Sequence, residues 1–152
     1  MIGNGANESQ DQLLLRSRLP EIAKVAPWLQ DRARQYAIPW NVQFAMDLCL
    51  EEVLSNIIRH GYAGAEDRPL VVKFTMPRSR YFIIVVDDEA PYFNPLDVPD
   101  LPPVGPNQQM RVGGQGIRLL RRFADALEYE RTATGNQLRI GFSVAASEVQ
   151  MK

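Results

Sequence analysis

Residues 41–59 carry apolar side chains at helical spacing, and the inward stripe they form includes an acid and an amide. Val42, Ala45, Leu48, Cys49, Val53 and Ile57 supply most of the stripe, and Glu52 and Asn56, four residues apart, lie side by side on the same face. Arg59 and His60 follow three and four residues later and extend it. A helix with such a face must be covered by a second layer. A polar pair on a core-facing stripe needs partners, because unpaired burial is costly. A metal ion, an activated hydroxyl or a nucleotide would each serve. From the helix alone, a partly exposed pair bordering the apolar stripe is an equally open reading. Glu51 points about 100° away and reads as a solvated surface charge.

The elements around this helix define an α+β chain. Leu13-Leu14-Leu15-Arg16-Ser17-Arg18-Leu19 ends in the alternation of a strand. Pro20 suits the first turn of a helix, and Ile22, Val25, Leu29 and Tyr36 recur at helical spacing, with Pro27 as a kink or a break. Gly61 is the expected stop of the second helix, and 64–69 is a turn. Leu70-Val71-Val72-Lys73-Phe74-Thr75-Met76 and Tyr81-Phe82-Ile83-Ile84-Val85-Val86 read as the strands of a hairpin. Residues 87–112 contain six prolines and form an irregular stretch of a length that marks function or disorder in a small domain. Gly116 opens a third helix reaching about Asp125, and 127–132 with 137–144 form a terminal hairpin around Thr134-Gly135-Asn136. Hairpin-joined strands with helices grouped on one face predict a two-layer α/β sandwich with a mixed, mostly antiparallel sheet.

The 152 residues, 45% hydrophobic and 23% charged, suit one domain with a real core, expected over 11–146 between a frayed 1–10 and a short tail, 147–152. A net charge of -1 carries no nucleic-acid signature. No segment is long and apolar enough to span a bilayer, and the polar first ten residues lack the blocks of a signal peptide. A soluble cytoplasmic protein is expected. The single cysteine, Cys49, cannot form an intrachain disulfide and reads as a small buried hydrophobe.

Two further stretches carry chemistry. Val85-Val86-Asp87-Asp88 puts a carboxylate where a buried strand leaves the core, and such a carboxylate accepts from an exocyclic amine. A small residue just beyond it, here Ala90, lets a flat base approach the backbone. An acidic turn after a strand also occurs without any ligand. Gly113-Gly114-Gln115-Gly116 precedes a helix, and exposed N–H groups at a helix start attract anions such as phosphates. A hinge or a tight turn is the competing reading. Arg111, just before these glycines, is placed to touch phosphate oxygens, whereas Arg118, Arg121 and Arg122 read as a solvated face. The lysines, Lys24, Lys73 and Lys152, lie away from the glycines, so there is no Walker motif. His60, the one histidine, reads as a structural hydrogen-bonding residue, and no Cys and His cluster suggests zinc.

Taken in order, Glu52-x3-Asn56, Asp88-x-Ala90-x2-Phe93 and Gly114-x-Gly116 resemble the N box and the two glycine boxes of the GHKL ATPases, with the stretch between the last two as the ATP lid. Glu51-Glu52-Val53-Leu54-Ser55-Asn56-Ile57-Ile58-Arg59-His60-Gly61-Tyr62, Phe93-Asn94-Pro95-Leu96 and Gly113-Gly114-Gln115-Gly116-Ile117-Arg118-Leu119-Leu120 are similar to the anti-sigma-factor serine kinases of the RsbW-like branch. The resemblance covers about 13–142. It implies the Bergerat ATP-binding fold, with ATP and Mg²⁺ as cofactors. It implies Asn56 as the Mg²⁺ ligand, Glu52 as general base on a partner's hydroxyl, and Asp88 on the adenine amine. It implies Gly114, Gly116 and the helix start at Ile117 on the phosphates, with Arg59 assisting.

Two positions depart from the pattern: Ala90 stands where a glycine is usual, and the final hairpin shows no third box. The resemblance implies an ATP-dependent serine/threonine kinase acting as an anti-sigma factor, with a STAS-type anti-anti-sigma protein and a sigma factor as partners and a homodimer as the assembly. The alternatives are a regulatory module that binds ATP, or nothing, and sequesters a protein, and a GHKL ATPase without a protein acceptor.

Overall fold

The computed structural model describes residues 11–97 and 116–145. Five strands, β1 (Gln12–Arg16), β2 (Pro69–Arg78), β3 (Tyr81–Asp88), β4 (Ala126–Arg131) and β5 (Asn136–Ser143), form one sheet in the order β1-β2-β3-β5-β4. All four pairings are antiparallel, with no parallel pair among the described residues. Three α-helices, α1 (Val25–Tyr36), α2 (Trp40–Asn56) and α3 (Gly116–Phe123), complete the second layer, with α2 packed against both others.

Alternation decides which face of the sheet is covered. Leu70, Val72 and Phe74 of β2 are buried, as are Phe82, Ile84 and Val86 of β3 and Leu138, Ile140 and Phe142 of β5. The register lines these up in rows, Phe74↔Ile84↔Ile140 and Val72↔Val86↔Leu138, so one continuous apolar surface meets the helices. On the other face Lys73 pairs with Asp87 at 2.9 Å, Gln137 donates to Asp87 at 2.8 Å, and Arg139 pairs with Glu128 at 3.1 Å. That polar face is what a two-layer sandwich leaves to water.

Proline sets where the first helix begins. Leu19–Lys24, with Pro20 at its start, is a 3₁₀ turn, and the α-helix proper starts at Val25. Pro27 falls in the first turn, where its missing N–H costs nothing because that donor has no partner inside the helix. The last turn ends on Ala37 in the left-handed region, and Arg80 of the β2–β3 turn donates to the orphaned carbonyls of Tyr36 (2.7 Å) and Ala37 (3.1 Å). Tyr36, Phe74 and Phe82 then form a ring cluster with centroids 5.5–5.6 Å apart, which clamps α1 to the sheet.

The second helix ends differently from its expected run to Arg59. The α-helix stops at Asn56, and Ile57–Gly61 is a π-helical turn closed by Tyr62 N–H donating to Ile57 O at 2.7 Å. Gly61 sits inside this turn and does not end the chain's winding. The reversal comes later, at Ala63 and Gly64, both with positive φ. A π turn inserts one residue into the helical register. Arg59 and His60 therefore lie in the π turn, beyond the end of the α-helix that carries Glu52 and Asn56.

Phe82 is fully buried at the centre of the ring cluster. Phe82→Ala is expected to cost about 3–5 kcal/mol in denaturant unfolding, as large-to-small core changes do.

Candidate functional site

Glu52 and Asn56 lie one helical turn apart at the C-terminal end of α2. Asn56 is 3% exposed, and its side chain makes no hydrogen bond among the described residues. Glu52 Oε2 is buried without a partner among the described residues. Burial pushes the Glu52 carboxyl above its ordinary range, and the Arg59 guanidinium pulls it partly back. A carboxylate oxygen buried without a partner costs stability. Glu51, in contrast, is exposed.

Asp88, the last residue of β3, is 5% exposed. Its register partner is Asn136, the first residue of β5. Asn136 Nδ2 donates to Asp88 Oδ1 at 2.8 Å, and the Ala90 N–H donates to the same oxygen at 2.9 Å. Among the described residues, Oδ1 takes both bonds. Burial pushes the Asp88 carboxyl up. The Asn136 amide, the Ala90 N–H and the Arg131 charge pull it back down, while Asp87 pushes it up.

Asn136 does more than meet Asp88. Its Nδ2 also faces the carbonyls of Pro91 (3.1 Å) and Ala90 (3.3 Å). Its Oδ1 accepts from Phe93 N–H at 3.2 Å, from Arg131 at 3.3 Å and from the Tyr129 hydroxyl. Arg131 donates a further bond to Ala90 O at 2.9 Å. The loop leaving β3 is thus tied to the β4–β5 hairpin at several points. Gly135 makes the tie possible: a Cβ there would overlap the Asp88 carbonyl oxygen and stand 2.6 Å from Glu89 Cα.

The same loop meets the π turn. A Cβ at Gly61 would lie 3.2 Å from the Phe93 ring and 3.6 Å from Ala90 Cβ. The His60 ring faces Phe93 with centroids 6.4 Å apart. Tyr62 donates its hydroxyl to Pro69 O at 2.5 Å and accepts the Glu89 N–H at 2.8 Å. The helix α3 packs along α2, anchored by the fully buried Leu120. The end of α2 with its π turn, the loop after β3 and the β4–β5 hairpin therefore meet at one end of the sheet.

Of the predicted site residues, Glu52 and Asn56 share a face, Arg59 acts electrostatically on Glu52, and Asp88 and Ala90 lie on the adjoining loop. Ala90 is 1% exposed, so its methyl is enclosed beside Gly61 and Phe93. Gly116 and Ile117 open α3, as expected. Arg111, Gly113 and Gly114 lie outside the described residues. Arg118, Arg121 and Arg122 are exposed. His60 is exposed and makes a ring contact, without the hydrogen bond expected of it among the described residues. Asn136, Arg131, Tyr129 and Gly135 were not anticipated. The only local signal was the Thr-Gly-Asn turn, which says nothing of Asp88.

A cavity of about 300 Å³ is lined by Asp88 and Glu89 together with Val71, Asp87 and Thr134, and neither Glu52 nor Asn56 lines it. Among the described residues no group of three or more His, Cys, Asp and Glu is arranged to hold a metal. A cation at Asn56 would have to share its ligands with a bound anion. The buried amide, the orphaned carboxylate oxygen and the half-engaged Asp88 suit a magnesium–nucleotide complex, which brings phosphate oxygens to the metal and an amine to the acid.

An antiparallel sheet covered on one face by helices, with an acid–amide pair at the end of the central helix and a buried aspartate across from it, is the sandwich of the GHKL ATPases. The sequence profile of the histidine kinase-like ATPase domain matches residues 15–142, and the chain belongs to that family. The family implies ATP as the ligand. The chain is similar to the serine/threonine-protein kinase BtrW of Bordetella bronchiseptica, 26% identical over 113 residues that cover 74% of this chain and 79% of that protein. The histidine kinase domain of the blue-light activated histidine kinase from Erythrobacter litoralis EL346 superposes with a TM-score of 0.47 at 16% identity, covering 86% of this chain and 62% of that one.

Gly135→Ala is expected to displace the Asp88 carbonyl and to weaken ATP binding at least tenfold in a calorimetric titration. Gly64→Ala is the control. Open space surrounds Gly64, and its φ of +84° makes the change cost about 1 kcal/mol of stability without touching the nucleotide.

Proposed function

We propose that this chain is an ATP-dependent serine/threonine protein kinase acting as an anti-sigma factor. In this reading it phosphorylates a serine on a STAS-type anti-anti-sigma protein and binds a sigma factor when that protein is unavailable, as a cytoplasmic homodimer. The observation that carries the kinase reading is Glu52 Oε2, buried without a partner one turn from the buried Asn56. The likeness to BtrW, a serine/threonine-protein kinase by name, supports the acceptor class. The motif resemblance of residues 51–62 and 113–120 to the anti-sigma-factor kinases supports the partners. No helix among the described residues is long and apolar enough to cross a membrane, which agrees with a cytoplasmic site of action.

The residues divide the work. Asp88 accepts the exocyclic amine of adenine and so fixes the base. Asn56 would hold Mg²⁺ through its amide oxygen, and the ion would supply charge neutralisation on the phosphates. Glu52 takes the proton from the serine hydroxyl as the oxygen forms its bond to the terminal phosphorus. The bond from that phosphorus to the bridging oxygen breaks, and ADP leaves. Burial that raises the Glu52 carboxyl brings it closer to the range where a general base works at neutral pH. The rest of phosphoryl transfer is positioning and charge stabilisation.

Transfer of labelled terminal phosphate from ATP to a STAS-domain protein tests the reading. Glu52→Ala is expected to lower the rate at least 100-fold, the scale of a lost general base, with ATP affinity within a few-fold of wild type. Equal rates would remove Glu52 from that role. ATP binding without transfer to any STAS-domain acceptor would favour a module that only sequesters a protein. Asn56→Ala is expected to abolish the part of ATP affinity that depends on Mg²⁺.

Glu52→Gln gives a pH-dependent check on the same residue. Burial disfavours the charged form of the Glu52 carboxyl, so the amide variant, which carries no charge, is expected to be more stable at pH 7. The difference is expected to shrink as pH falls through the folded-state value and the wild-type carboxyl becomes neutral as well. Thermal melts from pH 7 to pH 4 measure it. A less stable variant at pH 7 would contradict the orphaned charge.

A further inference from the structure

We infer that Asn136 is the positioning residue for base recognition: its fixed amide holds the Asp88 carboxylate in one orientation and ties it to the loop that follows. The inference rests on the proposed nucleotide reading and assigns a residue to it that the motifs do not contain.

The orientation of the amide follows from its surroundings. Three donors crowd one end, the Phe93 N–H, the Tyr129 hydroxyl and the Arg131 guanidinium. Three acceptors crowd the other, Asp88 Oδ1 and the carbonyls of Ala90 and Pro91. A flipped amide would set donors against donors and oxygens against oxygens. Nδ2 therefore points at Asp88. With Asn136 and the Ala90 N–H both donating to Oδ1, that oxygen has no room for a proton. Oδ2 is left as the acceptor for a ligand N–H, the group an aminopurine presents.

The tie also has reach. The same amide that orients Asp88 holds Pro91 and Phe93, and Phe93 packs on Gly61 of the π turn that follows Asn56. The base-binding acid and the acid–amide pair thus share one chain of contacts, with Asn136 at its start. The ionisable groups around Asp88 are Arg131 and Tyr129 from β4, Asp87 on its own strand, and Tyr62 and Glu89 where the π turn meets the loop. None of them donates a hydrogen bond to its carboxylate among the described residues.

Asn136→Asp tests the assignment, because it keeps the shape and the accepting end but replaces the donor with an oxygen. Two carboxylates then face each other and cannot both be ionised without repulsion. Magnesium-ATP affinity is expected to fall at least tenfold at pH 8 relative to wild type. It is then expected to recover toward wild type as pH drops to 6, where a single proton between the two carboxylates restores a donor and leaves Oδ2 free. Reading the ratio to wild type at each pH cancels the titration of the phosphates. Asn136→Thr, which keeps a hydroxyl donor, is the second variant and is expected to lose less affinity and to follow the wild-type pH profile. An Asn136→Asp variant that binds like wild type, or that loses the same factor at every pH, would overturn the role of Asn136 while leaving the nucleotide reading standing. Absence of ATP binding by the wild-type chain would overturn the nucleotide reading and this inference with it.

Discussion

A buried carboxylate facing a buried amide across two strands is the constraint on which the rest of the site depends. Asp88 and Asn136 sit opposite each other at the end of the apolar rows that form the core. Taking both from water would be costly if either were unpaired. Their mutual bond and the surrounding donors offset that cost, and in doing so they fix the path of the chain from Asp88 to Phe93. Gly135 has to be bare for the two strands to come this close. Asn136 is engaged at both ends of its amide and Asp88 at Oδ1, and such a connected network rigidifies the site.

The other half of the site is built on the opposite principle. Glu52 Oε2 is left without a partner, and the Asn56 side chain makes no hydrogen bond among the described residues. Local rules of burial are broken where function requires it, and perturbed acids cluster at such places. The Asp88–Asn136 bond holds the geometry, and in the proposed reading Glu52 and Asn56 supply the chemistry. The π turn between Asn56 and Tyr62 joins them, because its wide winding lets Gly61 face Phe93 and Tyr62 reach Glu89.

Much of this was legible in the sequence. The stripes at helical spacing gave α1 and α2, and the β-branched and aromatic runs gave β2, β3 and the terminal hairpin, because periodicity directly encodes which face is buried. Glu52 and Asn56 were legible for the same reason: polar residues in an apolar stripe stand out. Asn136 was not, because its role depends on a cross-strand register set by the whole sheet, and it stands 48 positions along the chain from Asp88. The end of α2 was missed because a π turn leaves no spacing signature; only the i to i+5 bond at Ile57 reveals it. Pro27, read as a kink or a break, interrupts nothing: it lies in the first turn of α1, and the change of winding comes before it, where a 3₁₀ segment ends at Lys24.

The central claim is that the end of α2, the loop after Asp88 and the start of α3 close on a single nucleotide. Amide chemical shifts followed during titration with magnesium-ATP test it most directly. Residues 52–62, 88–93 and 116–120 should shift together along one binding isotherm, with the β1 edge unmoved. Shifts confined to one of these stretches, or centred on the solvent face around Val71 and Asp87, would contradict it.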